Sequence, residues 1–256
     1  MVTEDSLLEA VRAADVDVPP RYASVTGSTN SDALELAQAG APEWTVVGAG
    51  HQTEGRGRRG RSWSTAPGKA LLFSVILRPP GPPDLAPILS LLAADGMAGV
   101  CRDVAGVEVG CKWPNDLVVG ERKVAGVLPE ASVSDGRLRS VVIGIGLNVG
   151  MSRQDFPEDI RPLATSLALE GGEVGAEEIL SRFLLRFREA YPADPQSVVE
   201  AYARRCVTLG RRVRAIESGG AEVDGRATGL DDRGNLMVET AEGARAVSFG
   251  EVVHLR

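Results

Sequence analysis

Two segments of the sequence concentrate side chains that can neutralise and transfer charged groups. The first, GHQTEGRGRRGRSW from Gly50 to Trp63, interleaves four arginines with four glycines. A glycine-rich loop brings backbone amides close to an anion, and arginine adds charge-assisted, often bidentate hydrogen bonds to phosphate or carboxylate. The pattern therefore indicates a site for a small, highly charged ligand.

The residues of this arginine-rich segment alone leave two other interpretations open. One is a solvated basic loop, and the other is an RGG-like segment that binds single-stranded nucleic acid. The chain contains no G-x-x-x-x-G-K-[ST], so the segment is not a Walker loop. The stretch GIGLNVG, Gly144 to Gly150, lacks the spacing of a dinucleotide fingerprint. Its first two glycines indicate instead a strand that a ligand or another backbone approaches closely.

The second segment is CKWPNDLVVGERKVAGVL, which runs from Cys111 to Leu128. Lys112 to Asp116 are predicted to leave a strand at a proline-fixed turn, and Lys123 returns on the partner strand of a hairpin. A carboxylate, an amide and two ammonium groups can thus face one pocket. Each part also has an ordinary explanation: Trp-Pro as packing, Asn-Asp as a turn and a strand lysine as a solvent-facing charge.

Lysine is rare in this chain, since only three of its 28 basic residues are lysines, namely Lys69, Lys112 and Lys123. Solvent-facing positions usually accept either base, so a background that favours arginine leaves lysine where a compact ammonium is needed. Two of the three lie in the second segment. This favours a functional role for them, with chance survival as the alternative.

Composition limits the classes of function. The chain has 256 residues, is 43% hydrophobic and carries a net charge of −7, which argues against coating nucleic acid or anionic lipid through the whole surface. Its acidic, amphipathic N-terminus predicts neither a signal peptide nor a membrane span. Cys101, Cys111 and Cys206 have no paired metal-ligand spacing and predict reduced core thiols and a cytoplasmic location.

The elements that must position these segments follow from hydrophobic periodicity. Thr29 and Asp32 have the spacing of a capping box at the start of a helix that Gly40 ends. A hairpin turn is predicted at Gly120-Glu121. Strands are predicted within 22–25, 45–51, 70–78, 107–113, 116–133 and 137–150, and helices within 6–14, 84–104, 176–190 and 195–206. From 207 onward the β-rich pieces have the spacing of a small barrel, so the predicted domains are 1–206 and 207–256.

Taken together, these motifs resemble the biotin protein ligases. GSTN (27–30), HQTEGRGRRGRSW (51–63), KWPNDL (112–117), RKVAGVLPE (122–130) and GIGLNV (144–149) occur in the order and approximate spacing of that family. The C-terminal piece is similar to the family's SH3-like barrel, so the resemblance covers nearly the whole chain. It implies an α+β fold, with a mixed-sheet catalytic domain of the class II synthetase-like type followed by an SH3-like domain.

The resemblance implies an ATP-dependent, AMP-forming ligase. Biotin and MgATP would give biotinyl-5′-AMP and pyrophosphate, and a lysine of the biotin carboxyl carrier domain of an acyl-CoA carboxylase would then take the biotinyl group. A carboxylate must attack a phosphoryl group that is already negative, and two unit charges 4 Å apart repel by roughly 4 kcal/mol at an effective dielectric near 20. Fixed cations must offset that repulsion.

The resemblance also implies roles for individual residues. Lys123 would bridge the carboxylate and α-phosphate oxygens, and Arg56 would contact the biotin carboxylate and the phosphate next to it. Asp116 would accept the proton of the acceptor lysine or orient it, with a turn cap as the alternative. The implied biotin-binding set is Ser28, Thr29, Asn30, Gln52, Gly55, Arg56, Lys123 and Gly126. The implied ATP-binding set is Arg58, Arg59, Arg61, Trp63, Asn115 and Asn148, and no residues are assigned to the Mg²⁺.

The glycines of the first segment fit the same chemistry. An acyl phosphate hydrolyses in water, so the intermediate needs a cover that closes and later admits a protein lysine. We therefore predict that residues 53–66 form a lid that is mobile without ligand and ordered with biotin or its adenylate.

Several expectations concern partners and alternatives. Bifunctional members of the family carry a DNA-binding domain before GSTN, whereas only some twenty residues precede Tyr22 here, so we expect no DNA partner. We also expect no membrane partner, and a homodimer is left open. The alternative enzyme is a lipoate or octanoate ligase, which shares the catalytic fold. The alternative from another class is a nucleic-acid-binding module built on the barrel and the basic loop.

Overall fold

The computed structural model describes residues 2–191, 193–217, 220–248 and 250–255. Its helices are α1 (Glu4–Ala13), α2 (Thr29–Gln38), α3 (Leu85–Ala105), α4 (Ala176–Ala190) and α5 (Pro195–Arg205). The strands of the first part are β1 (Arg21–Ala23), β2 (Val46–Ala49), β3 (Ala70–Leu77), β4 (Gly110–Lys112), β5 (Asp116–Val119), β6 (Arg122–Ser134) and β7 (Arg137–Asn148). The last part adds β8 (Arg212–Ile216), β9 (Glu222–Leu230), β10 (Leu236–Thr240), β11 (Gly243–Val247) and β12 (Glu251–His254).

A mixed sheet forms the centre of the molecule. Within the described residues it has seven strands in the order β1-β2-β3-β7-β6-β5-β4, with β1 and β2 parallel and the other neighbours antiparallel. Strand β3 is buried at every position, which explains why every residue in it except Ser74 is apolar. The predicted α+β class with a mixed sheet is confirmed.

Helix α3 contributes more buried residues than any other helix of the described chain. It spans 21 residues and ends at Gly106, whose left-handed φ of 68° terminates the helix. By length and composition α3 could cross a membrane, but 78% of its most apolar window is buried inside the protein. Its apolar surface is thus used for packing, and Leu91 of α3, Ile145 of β7 and Val238 of β10 belong to one hydrophobic cluster.

The C-terminal strands form a separate antiparallel sheet. Over the described part of the chain its order is β11-β10-β9-β8-β12, which agrees with the predicted SH3-like domain. The two parts share a continuous core, and the indole nitrogen of buried Trp113 donates to the carbonyl oxygen of Gly234 at 2.9 Å. The predicted boundary near 207 falls between α5 and β8 and stays a prediction.

Local predictions at turns and caps have mixed outcomes. Gly40 follows the end of α2 with φ 89°, and Gly120 makes the β5–β6 turn with φ 59°, as predicted. The predicted capping box of Thr29 and Asp32 is wrong. Ser28 is the N-cap without a side-chain capping bond, and the Asp32 carboxylate accepts instead from the Thr26 hydroxyl at 2.6 Å. The Thr29 hydroxyl lies 3.0 Å from Gln52 Oε1, so it serves the pocket rather than the cap.

Candidate active site

One pocket at the starts of α2 and β5 and over the neighbouring strands β6 and β7 gathers most of the predicted site residues. The arginine-rich segment folds over it from the loop after β2. The predicted residues that line this pocket are Ser28, Thr29, Asn30, Gln52, Arg56, Arg58, Arg61, Trp63, Asn115, Asp116, Lys123 and Gly126. The pocket therefore brings polar groups of distant segments to the cationic loop.

Three predicted residues lie outside that lining. Gly55 and Arg59 face a groove on the outer side of the arginine loop. Gly55 lets the chain close on itself, because a Cβ there would overlap the carbonyl oxygen of Trp63, while the Trp63 amide donates to Gly55 O at 2.8 Å. Asn148 lines an adjoining cavity.

At one end of the pocket a polar network surrounds the start of α2. The backbone amide of Thr29 donates to Gln52 Oε1 at 2.8 Å. The Ser74 hydroxyl, on β3, lies 2.9 Å from the Thr29 hydroxyl and 2.6 Å from Asn30 Oδ1. Ser28, Thr29, Asn30 and Ser74 are all buried, so their polar groups are held in fixed directions. This end can recognise a ligand that presents both donors and acceptors.

At the other end a cation and a carboxylate form a close pair. Lys123 Nζ lies 2.6 Å from Asp116 Oδ1, with both side chains partly exposed. In the β5–β6 hairpin Lys123 pairs with Val118, two residues after Asp116, so Lys123 and Asp116 are diagonal neighbours. The same ammonium lies 5.3 Å from the centroid of the Trp63 ring, within reach of a cation–π interaction.

The glycines of β7 make room for side chains. A Cβ at Gly146 would lie 2.5 Å from Trp63 Nε1, and one at Gly144 would overlap the amide of Asn30. The sequence predicted a ligand or a backbone at these positions, whereas the neighbours in the structure are two side chains of the pocket. Trp63 can approach the sheet this closely only because position 146 has no side chain.

Side-chain contacts of two arginines hold the arginine-rich segment against the pocket. Arg56 Nη2 donates to Glu130 Oε2 at 2.7 Å, and Arg58 Nη1 donates to Asn115 Oδ1 at 3.3 Å. Burial lowers the pKa of the Arg58 guanidinium, and the charge of Asp116 opposes that shift. Several cations thus converge on a small region, which suits a ligand that carries several negative charges.

The C-terminal sheet takes part in holding this loop. Arg61 Nη1 lies 2.8 Å from Glu251 Oε1, and Arg59 Nη1 lies 3.7 Å from the other oxygen of the same carboxylate. Arg58 also donates to the carbonyl oxygen of Gly250 at 3.2 Å. Exposed ion pairs of this kind contribute about 0.2–1 kcal/mol each, so the loop is closed by weak contacts.

A second cavity adjoins the pocket on the far side of Trp63. Asn148 is buried there and donates from Nδ2 to the carbonyl oxygen of Thr165 at 2.9 Å. Among the described residues, Asn148 Oδ1 and Trp63 Nε1 are buried without a hydrogen-bond partner. Ile160 and Leu163, 37% and 64% exposed, form an apolar wall of the same cavity. An apolar wall beside an unsatisfied acceptor suits a flat ring that carries an amino group.

Sequence reasoning missed several residues of this site. Ser74 lay inside an apolar strand, and Ile160 and Leu163 lay in a stretch without periodic pattern. Glu130 was quoted within a motif but given no role, and Glu251 lay near the end of the chain. Only Glu130 had a usable signal, because a carboxylate in a motif with several cations implies an ion pair.

No group of three or more His, Cys, Asp or Glu side chains that could hold a metal ion occurs in the part of the chain that the structure describes. Cys101, Cys111 and Cys206 are free thiols and buried, as predicted. Burial raises the pKa of the Cys101 thiol to about 12.

Comparisons with known proteins agree with this arrangement. Residues 22–148 match the Biotin/lipoate A/B protein ligase family, and residues 208–255 match the Biotin protein ligase C terminal domain. The biotin--[acetyl-CoA-carboxylase] ligase of Mycobacterium tuberculosis is 37% identical over 242 residues, which cover 90% of this chain and 87% of that protein. This chain belongs to the biotin/lipoate protein ligase family.

Two further members of the biotin/lipoate protein ligase family extend the comparison. The bifunctional ligase/repressor BirA of Bacillus subtilis is 36% identical over 239 residues, which cover 90% of this chain and 72% of that protein. The structure of the biotin protein ligase from Aquifex aeolicus in complex with biotin and ATP is 26% identical, with a TM-score of 0.78 over 92% of this chain and 99% of that chain.

These relatives separate the alternatives. All three are named as biotin ligases or as the ligase/repressor BirA, and the C-terminal match is to a domain named for biotin protein ligases. The resemblance read from the sequence is therefore confirmed. A lipoate or octanoate ligase and a nucleic-acid-binding module are not favoured.

Proposed function

We propose that this chain is a biotin protein ligase that forms biotinyl-5′-AMP from biotin and ATP and transfers the biotinyl group to a protein lysine. One observation carries the proposal: a polar network for a neutral ring and a cluster of cations for two acids line one pocket. Biotin has this polarity, with a ureido ring at one end and a carboxylate at the other.

The ureido ring would bind at the polar network. A cyclic urea presents one carbonyl acceptor and two N–H donors, so it needs partners of both kinds. Ser28 is buried and makes no capping bond with its hydroxyl, while Gln52 Oε1 is fixed by the amide of Thr29. With Asn30, these residues offer hydroxyl and amide groups in fixed positions, so binding requires little reorganisation.

The first chemical step joins two negative groups. An oxygen of the biotin carboxylate attacks the α-phosphorus of ATP, and the bond between that phosphorus and the pyrophosphate oxygen breaks. Arg56 and Lys123 would offset the repulsion, with Lys123 as a compact charge at the bridging oxygens. Arg58 and Arg61 would lie nearer the polyphosphate. ATP would bring its own Mg²⁺, which typically keeps several waters and phosphate ligands.

The adenine would occupy the second cavity. Trp63 would lie against one face of the ring, and Ile160 and Leu163 would contact the other side. The unsatisfied Oδ1 of Asn148 would accept a hydrogen bond from the adenine amino group. Asn115 already uses both ends of its amide, donating to Val127 O at 3.0 Å and accepting from Arg58. We therefore assign Asn115 to orienting Arg58 beside the phosphates rather than to reading the base.

The second step transfers the biotinyl group. The amine of the acceptor lysine attacks the carbonyl carbon of the adenylate, and AMP leaves. A free lysine has a pKa near 10.4, so only on the order of one in two thousand is deprotonated at neutral pH. Asp116 would orient the incoming ammonium and accept its proton, because one of its oxygens already contacts Lys123 and the side chain is 27% exposed.

The protein partner follows from the relatives. The Mycobacterium tuberculosis protein is named for acetyl-CoA carboxylase. We propose that the acceptor of this chain is likewise the biotin carboxyl carrier domain of an acyl-CoA carboxylase. Mass spectrometry of a purified carrier domain after incubation with enzyme, biotin and ATP should show one added biotinyl group. A carrier domain without its acceptor lysine should stay unmodified.

Pyrophosphate release tests the activity directly. The enzyme is incubated with MgATP and either biotin, lipoate or octanoate as the only variable. Biotin should support release, and the two lipoyl-type acids should not. Release with lipoate or octanoate at the rate seen with biotin would contradict the proposal.

A further inference from the structure

The carboxylate of Glu130 binds both the arginine-rich segment and the start of α2. Glu130 lies on β6, beyond the last residue pair that β6 makes with β5. Its Oε2 accepts from Arg56 Nη2 at 2.7 Å and from Asn30 Nδ2 at 2.8 Å. The side chain of Glu130 is 26% exposed and that of Arg56 is 40% exposed. A single oxygen therefore connects the arginine loop to the start of α2.

The amide of Asn30 can take only one orientation in this arrangement. Its Nδ2 faces Glu130 and, at 3.2 Å, the carbonyl oxygen of Leu128, both of which can only accept. Its Oδ1 therefore faces Ser74, whose hydroxyl donates to it at 2.6 Å. Gly144 leaves the space that this amide fills.

The chain of hydrogen bonds continues from Asn30 through Ser74 and Thr29 to Gln52. Ser74 uses its single proton on Asn30, so its oxygen can accept from the Thr29 hydroxyl at 2.9 Å. The backbone amide of Thr29 holds Gln52 Oε1. Polar contacts thus run without interruption from the proposed ureido end to the guanidinium of Arg56.

We propose that Glu130 is a positioning residue for Arg56 in the adenylation step, an inference that rests on the role of Arg56 proposed above. A guanidinium has five N–H donors in a planar fork, so one edge can be held by Glu130 while the remaining donors face the substrate carboxylate and phosphate. Arg56 sits on a glycine-rich loop, whose backbone alone does not fix the direction of the side chain. Glu130 supplies that direction from a strand of the sheet.

Three substitutions separate position from charge. Glu130→Ala removes the acceptor, and we expect kcat for biotin-dependent pyrophosphate release to fall by up to about 100-fold, the effect of an approximately 1 Å misplacement. Glu130→Asp keeps the charge, but its shorter side chain moves the carboxylate away from Arg56, so kcat should fall as well. Glu130→Gln keeps a carbonyl oxygen with two lone pairs at the right reach and should restore most of the rate. Asp135→Asn, at an exposed ion pair on the β6–β7 turn, is the matched control and should leave kcat unchanged.

Separate measurements of kcat and of KM for biotin distinguish this role from support of the ureido site. Asn30 keeps Leu128 and Ser74 as partners after Glu130→Ala, so KM for biotin should change much less than kcat. A raised KM for biotin with normal kcat would overturn the proposal. Faster adenylation by the alanine variant would also overturn it, because Glu130 would then be a competing counter-ion.

A double-mutant cycle makes the test specific. In the Arg56→Ala background, Glu130→Ala should cause little further loss, because its effect acts through Arg56. The same fold loss in both backgrounds would overturn the positioning role. A normal rate for Arg56→Ala alone would instead overturn the proposed function of Arg56, so the two failures are distinguishable.

Discussion

Replacing Lys123 with alanine removes the ammonium that lies between the Asp116 carboxylate and the Trp63 ring. A unit charge about 4 Å from a reacting oxygen contributes roughly 4 kcal/mol at an effective dielectric near 20. At about 1.4 kcal/mol per factor of ten, this corresponds to roughly a 1,000-fold loss in the rate of adenylate formation. The Lys123 side chain is 35% exposed, and solvent screening brings the expected loss to about 100- to 1,000-fold.

The assay measures single-turnover formation of biotinyl-5′-AMP, with transfer from added biotinyl-5′-AMP measured separately. Lys123→Ala should lose adenylation far more than transfer, because the repulsion arises only while the two acids join. Lys123→Arg should retain part of the rate, because it keeps the positive charge but replaces the compact ammonium with a planar guanidinium. Lys69→Ala is the matched control, because Lys69 pairs with Asp155 outside the pocket. Adenylation by Lys123→Ala at the wild-type rate would refute the reasoning.

Three further predictions follow from the geometry. Gly146→Ala would place a Cβ 2.5 Å from Trp63 Nε1 and displace the ring. Steady-state kinetics should therefore show a raised KM for ATP with little change in the KM for biotin. The same KM for ATP in the variant and the wild type would count against the adenine site. Biotin or biotinyl-5′-AMP should protect residues 53–66 from limited proteolysis, and cleavage at the same rate with and without ligand would contradict a lid. Burial, Lys112 and Arg211 lower the pKa of His254 in the folded state, so the unfolded chain binds more protons below about pH 6.5 and stability should fall as pH drops from there. Urea unfolding at pH 7.5 and 5.5 should show a smaller loss for His254→Asn, and an unchanged pH dependence would contradict this contribution.

The sequence predicted the parts of the fold that depend on local pattern. The apolar run of β3, the long helix α3 and the turn at Gly120 follow from hydrophobic periodicity and glycine conformations. The motifs identified twelve residues that line one pocket of the structure.

The contacts that fix those side chains could not be predicted in the same way. Asn30 and Glu130 are 100 residues apart, and Arg61 and Glu251 are 190 residues apart. Such partners are set by strand order and by the packing of the C-terminal sheet, which no local pattern encodes. The failed capping box has the same cause, because Gln52, 23 residues from Thr29, accepts from the backbone amide of that residue and lies 3.0 Å from its hydroxyl.

A crystal structure with a non-hydrolysable analogue of biotinyl-5′-AMP tests the central claim most directly. The proposed mechanism predicts that residues 53–66 cover the ligand, with Arg56 and Lys123 contacting the oxygens at the junction of the acyl and phosphate groups. A ligand bound at another place, or one whose acyl–phosphate junction is not contacted by either cation, would contradict it.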